Sequence, residues 1–144
     1  METDVPDEPM APPDQTIREI LLAAPVIALV GASARAGRPS HDVMSVLLHE
    51  GYRVIPVHPS HATVHGLPVY RDLESIPEPV DLVDVFRRPE FVPEVARQAV
   101  AKRAKVLWLQ LGVVSWEAYR IARQAGLTVV MDRCLSIEHF RLIG

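Results

Sequence analysis

The sequence predicts an α/β fold, in which a parallel sheet of five to six strands is covered by helices on both faces. Short, almost continuous apolar runs such as Val26–Val30 recur along the chain, and they are typical of strands buried on both faces. The segments between them, such as residues 92–100, repeat apolar side chains with helical spacing. With 144 residues, 49 % of them hydrophobic, the chain is long enough for one domain with its own core.

The individual elements follow from apolar spacing, helix caps and breakers. Asp14 and Ser40 are predicted N-caps, Gly51 and Gly126 are predicted to end helices, and Pro56 is unusual for a central strand. The predicted elements are, in order, a helix from Asp14 to Pro25, a strand at Val26–Val30, a helix from Ser40 to His49, strands at Arg53–Val57, Gly66–Tyr70 and Asp81–Phe86, a helix from Pro89 to about residue 100, a strand at Lys105–Leu109, a helix at Ser115–Ala125, a strand at Leu127–Met131 and a short helix from Ser136. This alternation implies right-handed crossovers and a doubly wound, Rossmann-like sheet.

The N-terminal residues differ in composition from the rest of the chain. Residues 1–13 contain four prolines and few large apolar side chains, which predicts a disordered acidic tail before a domain over residues 14–144. Residues 1–17 hold five of the 18 acidic residues and none of the 15 basic ones, so residues 18–144 keep 13 and 15, a net charge of +2. This balance suits a small anionic ligand and disfavours nucleic acid as a partner.

The sequence also predicts where the protein works. A single cysteine, Cys134, excludes an internal disulfide framework and fits a reducing cytoplasm. The acidic N-terminus is unlike a secretory signal, and the uncharged stretch of residues 20–33 is interrupted by Pro25 and too short to cross a bilayer. We therefore expect a soluble cytoplasmic protein that does not bind membranes; a protein partner or homodimer is not indicated.

The carboxyl ends of the predicted strands carry a cluster of polar residues. In a doubly wound sheet, ligands bind at this edge, beside the strand where the strand order reverses. The loops at this edge are rich in Gly, Ser, His, Arg and Gln, and they span Gly31–Ser40, His58–His61, Arg87–Pro89 and Gln110–Val113.

The loop after the first strand is typical of a phosphate site. Gly31 permits a tight turn, Ser33 and Ser40 offer hydroxyls, and the start of the next helix offers free N–H groups. Arg35 and Arg38 add positive charge. The alternative is a plain strand-to-helix turn with a capping serine.

The spacing of this loop argues against NAD. The chain has Gly31-Ala-Ser-Ala-Arg-Ala-Gly37 in place of Gly-x-Gly-x-x-Gly, and the second strand ends in Val57-His58-Pro59 without the acid that binds the ribose hydroxyls of NAD. A site with histidine at that point tolerates a phosphate on the ribose. NADP and coenzyme A remain.

Five segments, in order, resemble the stand-alone CoA-binding domain family, small Rossmann-like proteins similar to the CoA-binding domain of the succinyl-CoA synthetase α subunit. The resemblance covers about residues 20–140. The matching segments are Val30-Gly-Ala-Ser with Gly37-Arg-Pro-Ser-His, Gly51-Tyr-Arg-Val-Ile-Pro-Val-His-Pro, Asp81-Leu-Val-Asp-Val-Phe-Arg-Arg-Pro, Val106-Leu-Trp-Leu-Gln-Leu-Gly-Val-Val and Val130-Met-Asp-Arg-Cys.

The resemblance implies coenzyme A or an acyl-CoA as the ligand. Its pyrophosphate would rest on Gly31, Ala32, Ser33 and the start of the Ser40 helix, with charge supplied by Arg38. Its adenosine would lie against Val57, His58 and Pro59, and its pantetheine arm would pass Phe86, Arg87, Arg88 and Pro89 toward Gln110, Leu111 and Gly112. His58 departs from the family, which more often has Asn before the proline.

Several of these residues have a second interpretation. Arg87 and Arg88 are either ligand contacts or solvated cations, and Gln110 is either a ligand contact or a satisfied core amide. The histidines at 58, 61 and 65 match no metal-site spacing, so no metal is expected. Cys134 is interpreted as a small buried residue rather than a nucleophile.

The function predicted from these residues is non-catalytic binding of CoA or acyl-CoA, as a sensor, carrier or regulator of acyl-CoA metabolism. In the synthetase that the chain resembles, a phosphorylated histidine lies in a second domain, and none of the six histidines here lies in an equivalent segment. The alternatives are an NADP-binding redox sensor and an acyl-CoA thioester enzyme that uses Cys134 or a histidine.

Overall fold

A computed structural model describes residues 8–144 of the chain. The helices are α1 (Asp14–Leu22), α2 (Pro39–His49), α3 (Val92–Ala101), α4 (Trp116–Gln124) and α5 (Leu135–Leu142), and a 3-10 turn at Pro89–Phe91 leads into α3. The strands are β1 (Ile27–Val30), β2 (Val54–Val57), β3 (Thr63–Val64), β4 (Leu67–Pro68), β5 (Leu82–Val85), β6 (Val106–Leu109) and β7 (Thr128–Val130). Within these residues, the helices are all too short to cross a membrane.

Five strands form the main sheet, in the order β2-β1-β5-β6-β7, and every pairing between them is parallel. β1 lies between β2 and β5, so Ile27 of β1 pairs with Val54 of β2 on one side and with Leu82 of β5 on the other. This order confirms the predicted Rossmann-like α/β fold. The strand order reverses between β1 and β5, which makes the carboxyl end of β1 the expected ligand position.

Two buried clusters hold the helices on the two faces of the sheet. On one face, Val83 and Leu107 pack with Val95 of α3 and Tyr119 of α4. On the other face, Leu29 and Trp108 pack with Ile17 of α1, Met44 of α2 and Leu135 of α5. Because successive strand residues alternate between the two clusters, both faces of the sheet are buried, as the continuous apolar runs predict.

Pro56 is tolerated because β2 is the edge strand of the main sheet. Its carbonyl accepts a hydrogen bond from Tyr70 N at 3.1 Å, so its own nitrogen also points outward, away from β1. The predicted edge strand at Gly66–Tyr70 is shorter than expected: Leu67–Pro68 pairs antiparallel with Thr63–Val64 in a separate two-stranded sheet.

The two helix caps predicted at Asp14 and Ser40 are wrong. α1 begins after Pro13, whose carbonyl accepts from Thr16 N, and Asp14 instead binds Arg141 through two bonds of 2.7 and 2.9 Å. α2 begins one residue before Ser40, with proline in its first turn, where a missing N–H is harmless. The predicted cap of α4 is confirmed, since Ser115 Oγ accepts from Ala118 N at 3.1 Å.

The predicted disordered tail lies partly outside the described residues, at residues 1–7. Residues 8–13 differ from that prediction, because they contact the domain. Met10 O accepts a hydrogen bond from Met131 N at 2.8 Å, and Ala11 packs against the cluster on the α5 face. Backbone pairing at the end of β7 therefore orders a segment that has little apolar surface of its own.

Candidate functional site

A cavity of about 600 Å³, called the main cavity below, opens at the carboxyl edge of the sheet. It lies where the loops after β1, β5 and β6 meet, which is the edge predicted from the strand order. Its lining comprises Gly31, Ser33, Arg35, Arg38, Pro39, Ser40, His61, Phe86, Arg87, Arg88, Pro89, Gln110, Leu111, Gly112 and Val113.

Gly31 is required by the fold at this point. Its φ is +91°, and a Cβ would overlap the carbonyl oxygen of Phe86 and lie 3.0 Å from the carbonyl carbon. The residue therefore allows the chain leaving β1 to cross close beside the chain leaving β5.

The amides predicted to cradle a phosphate are partly used by the protein itself. Gly31 N and Ala32 N both donate to Val57 O, at 3.0 and 3.2 Å, and Ala32 is fully buried and does not line the main cavity. Ser33 N donates to Ser40 Oγ at 3.0 Å. In this structure these three amides are therefore turned toward protein acceptors, and the predicted phosphate contact with Gly31 and Ala32 stays a prediction.

The start of α2 supplies the open amides instead. Pro39 has no N–H, and Asp42 N already donates to Arg38 O at 3.0 Å. The N–H groups of Ser40 and His41 lie between them in the first turn, where an α-helix offers no acceptor. Ser40 itself lines the main cavity, so this helix start directs open donors and a positive dipole end toward it.

The main cavity is surrounded by unneutralised positive charge. Within residues 8–144, the guanidinium groups of Arg35, Arg38 and Arg87 have no carboxylate partner. Arg88 lies 3.9 Å from Glu90, at the limit of an ion pair, and both side chains are exposed. Arg87 also stacks over the ring of Phe91, 4.5 Å from its centre. The main cavity is thus lined by four arginines, and its lining includes no acidic residue.

A second cavity of about 520 Å³, called the side cavity below, adjoins the first and shares Gly31, Phe86 and Arg87 with it. It lies between the end of β2 and the first turns of α3. Its lining comprises Val30, Gly31, Val57, His58, Pro59, Arg71, Asp72, Phe86, Arg87, Phe91, Glu94, Val95 and Gln98.

His58 is held as a neutral imidazole at the border of the two cavities. Burial lowers the pKa of His58, and the neighbouring His61 and Arg87 lower it further. The Nδ1 atom accepts a hydrogen bond from Ser60 N at 3.0 Å, which leaves the proton of the neutral ring on Nε2. His58 and His61 stack with ring centres 4.0 Å apart. His58 lines the side cavity, and His61 lines the main cavity.

Gln110 is a buried polar residue in the lining of the main cavity, and hydrogen bonds fix both its backbone N–H and its carbonyl. Gln110 N donates to Val85 O at 3.2 Å, and Gln110 O accepts from Val113 N at 2.8 Å. Asp132 Oδ1 accepts from Gly112 N at 2.7 Å and ties this loop to the loop after β7. The side chain of Gln110 is 6 % exposed, and its Oε1 has no hydrogen-bond partner.

The structure brings the predicted site residues together, with one exception. Every predicted residue other than Ala32 lines the main or the side cavity. Sequence reasoning missed the part of the side cavity built by Arg71, Asp72 and α3, where Phe91, Glu94 and Gln98 recur at helical spacing. Their polar members follow the pattern of an ordinary solvated helix face, which cannot be told from a ligand-facing one by its sequence.

Four of the histidines form two stacked pairs, and Cys134 lines neither cavity. His65 stacks on His41, with ring centres 3.9 Å apart, and not on the His58–His61 pair. In residues 8–144, no group of three or more His, Cys, Asp and Glu side chains has the arrangement of a metal site. Cys134 is buried beside Ser136 Oγ, at 3.3 Å, and lines neither cavity.

Comparison with known proteins points to one family. Residues 25–140 match the model of a family described as CoA binding domain. An uncharacterized protein of Bacillus subtilis, YneT, is 40 % identical over 128 residues, which is 89 % of this chain and 95 % of that protein. A solved structure of a hypothetical protein from Pyrococcus horikoshii superposes with a TM-score of 0.91 at 41 % identity, covering 100 % of both chains.

A more distant relative is an enzyme. Acetate–CoA ligase [ADP-forming] I of Archaeoglobus fulgidus is 25 % identical over 129 residues, which is 83 % of this chain and 19 % of the ligase. The chain thus spans about a fifth of the length of that ligase.

Proposed function

Because the chain belongs to the CoA-binding domain family, we propose that it binds coenzyme A or an acyl-CoA at the two adjoining cavities, without catalysis, as a sensor, carrier or regulator of acyl-CoA metabolism. One observation carries the proposal. Arg35, Arg38 and Arg87 surround the main cavity without a carboxylate partner in the described part of the chain, beside the open amides of α2.

The charge of this rim matches the charge of the proposed ligand. Coenzyme A carries roughly four negative charges at neutral pH, from its pyrophosphate and its 3′-phosphate. Guanidinium groups bind phosphate oxygens in a two-pronged geometry, and arginines that have no carboxylate partner need break no ion pair to do so. The pyrophosphate is therefore proposed to lie between the start of α2 and these arginines.

The two cavities suit the two ends of such a ligand. The side cavity, between Val57, Pro59 and the ring of Phe91, offers apolar surface for the adenosine, as the family resemblance implies. His58 lies at its border with Nε2–H free to donate, and it is proposed to bind the 3′-phosphate. The arm is proposed to run through the main cavity to Gln110 and Gly112.

The hydroxyls of the main cavity support binding rather than nucleophilic catalysis. Ser33 Oγ accepts a hydrogen bond from Arg35 N at 3.1 Å, and Ser40 Oγ accepts one from Ser33 N. Among residues 8–144 neither serine hydroxyl has a hydrogen bond to a histidine, lysine or other side-chain base of the kind that activates a serine nucleophile.

The first test is the mass of the native protein purified from cells, followed by calorimetry of CoA, dephospho-CoA and NADP. We expect a mass increment equal to CoA or an acyl-CoA, and tighter binding of CoA than of dephospho-CoA. His58→Leu, which removes the hydrogen-bond donor, should reduce the preference for CoA over dephospho-CoA. A protein that binds NADP and not CoA would contradict the proposal.

A variant at Ser33 tests the position of the pyrophosphate. Ser33→Asp places a negative charge beside the main cavity, and the new carboxylate can still accept from Arg35 N, so the loop should stay folded. We expect CoA binding to be abolished in Ser33→Asp and largely kept in Ser33→Asn, which has the same shape without the charge. Equal affinity of the two variants would show that the pyrophosphate lies elsewhere.

A further inference from the structure

The loop after β2 carries an imidazole to which the proposed contacts give no role. His61 lines the main cavity together with Arg38 and with Ser40 at the start of α2. Its ring stacks on the ring of His58, with centres 4.0 Å apart. Within residues 8–144, the nitrogens of His61 make no hydrogen bond or ion pair, so the ring can bind a ligand without giving up a protein partner.

Only one ring of this stacked pair is placed to carry a positive charge. His58 Nδ1 accepts a hydrogen bond from Ser60 N at 3.0 Å, and a proton on Nδ1 would break that bond. Burial lowers the pKa of His58, and the neighbouring His61 and Arg87 lower it further. Two imidazolium rings at this separation would repel each other. The pair therefore holds at most one charge, and His61 is the ring free to take it.

The charged groups around the stacked pair are mainly cations. Those in the lining of the main cavity are Arg35, Arg38, Arg87 and Arg88, and no acid lines it. The lining of the side cavity, which includes His58, adds Arg71, Asp72 and Glu94. A polyphosphate in the main cavity would bring negative charge beside His61. An anion within about 4–6 Å favours the protonated form of an imidazole.

The second stacked pair of histidines is engaged elsewhere. His65 Nε2 donates to His41 O at 2.8 Å, and the two rings stack with centres 3.9 Å apart. His41 Nδ1 lies 3.7 Å from a carboxylate oxygen of Asp42. Neither of these two histidines lines the main or the side cavity, so His61 is the histidine in the lining of the main cavity.

We propose that His61 binds the phosphates of the ligand as an imidazolium ion, so that ligand binding takes up a proton and strengthens as the pH falls. This inference rests on the proposed function. The proton passes from the buffer to a ring nitrogen of His61, and no covalent bond to the ligand forms. Histidine changes its charge near neutral pH, whereas arginine does not. The arginines therefore provide a constant attraction, and His61 adds one that depends on pH.

The experiment measures proton uptake by calorimetry. Dephospho-CoA is titrated into the protein at pH 7 in two sulfonate buffers with different enthalpies of ionisation, and the difference in observed enthalpy gives the number of protons taken up. Dephospho-CoA lacks the 3′-phosphate, which itself titrates at about pH 6. We expect an uptake of about half a proton, which a one-unit rise from an ordinary imidazole pKa of about 6.5 produces. The same rise strengthens binding about sixfold from pH 8 to pH 6.

Two variants at position 61 separate charge from packing. His61→Asn has a polar side chain that does not ionise, and it should lose both the proton uptake and the pH dependence of affinity. His61→Arg places a permanent cation there, so it should also lose the uptake but bind dephospho-CoA at pH 8 more tightly than wild type. The control is His49→Asn, at an exposed position in the last turn of α2 and outside both cavities, which should behave as wild type.

Each contrary result has a distinct meaning. If His61→Asn takes up as many protons as wild type, the role of His61 is rejected, whichever other group accepts the proton. An affinity of wild type for dephospho-CoA that is equal at pH 6 and pH 8 also rejects it. The comparison of wild type with His61→Asn is repeated with CoA, because protonation of the ligand cancels in the difference between the two proteins. If wild type binds neither ligand at either pH, the proposed function itself fails.

Discussion

Asp84 offers a test of the structure that is independent of any ligand. It lies in the middle of β5, between Leu29 of β1 and Trp108 of β6, and its side chain is fully buried. Neither carboxylate oxygen has a hydrogen-bond partner within residues 8–144. Burial without a partner raises the pKa of Asp84 far above its ordinary range, so the folded protein holds this residue as a neutral acid.

The expected perturbation is a change in how stability depends on pH. In the unfolded chain Asp84 ionises above a pKa of about 3.9, whereas in the folded protein it stays protonated. Between those two pKa values the folded state binds one more proton, so the free energy of unfolding falls as pH rises. The slope from this one residue is about 1.4 kcal/mol per pH unit. The stabilising effect of protonation is complete below the unfolded pKa and is lost as pH rises toward the folded pKa.

Asp84→Asn isolates this contribution because asparagine has nearly the same shape and does not ionise. Urea unfolding of wild type and variant should be followed from pH 4.5 to 8. We expect the variant to gain stability relative to wild type by about 1.4 kcal/mol for each pH unit over the lower part of this range. Any cost of the unsatisfied amide adds a constant and leaves the slope unchanged.

An exposed acid provides the control for Asp84. Glu74→Gln removes a carboxylate from a solvent-exposed position, and its stability difference from wild type should show no comparable slope. A difference between wild type and Asp84→Asn that is constant from pH 4.5 to 8 would refute the reasoning. It would mean that Asp84 ionises in the folded protein much as it does in the unfolded chain.

Three further outcomes follow from the same contacts. Gly31→Ala should lower the free energy of unfolding by more than about 1 kcal/mol in urea titrations, because its φ is +91° and its Cβ would strike the Phe86 carbonyl; an unchanged midpoint would contradict this geometry. Ser115→Ala should cost about 1 kcal/mol by the same measurement, and Ser115→Asp should keep most of that stability, because only the aspartate can still cap α4. Raising the salt concentration should weaken CoA binding, and Arg35→Gln combined with Arg38→Gln should reduce that salt dependence in calorimetry, because both cations face the main cavity; an identical salt dependence in the variant would place the phosphates elsewhere.

The fold could be predicted from the sequence because strand burial leaves a strong signal. β1, β5 and β6 are buried on both faces, so their sequences are apolar apart from Asp84 in β5, and short apolar runs of this kind predict buried strands. The helix starts were harder to predict, because a cap depends on where a side chain points. Ser40 has a typical capping side chain, but its hydroxyl oxygen accepts a hydrogen bond from Ser33 N in the preceding loop. The helix begins one residue before Ser40, at Pro39.

The candidate site was predictable at the level of loops and not at the level of atoms. Parallel strands bring their carboxyl ends to one edge, so the loops at Gly31 and Gln110 had to meet whatever their side chains were. The direction of each amide, however, depends on the register between β1 and β2, which places Val57 O beside Gly31 N. The contribution of α3 to the side cavity likewise depends on how the helix rotates against the sheet.

The comparison of Gly31 with Gln110 shows which features of such a site indicate a ligand. Gly31 is explained completely by the nearby Phe86 carbonyl, so a glycine after the first strand does not by itself indicate phosphate binding. Gln110 Oε1 and the guanidiniums of Arg35 and Arg38 are different, because they have no hydrogen-bond or ion-pair partner within residues 8–144. Asp84 shows that the lack of a partner is not sufficient evidence for a ligand. Its carboxylate also has no hydrogen-bond partner within residues 8–144, but it lines neither cavity. An unpaired group therefore indicates a ligand only where it also faces open space, and at this edge of the sheet Arg35, Arg38 and Gln110 meet both conditions.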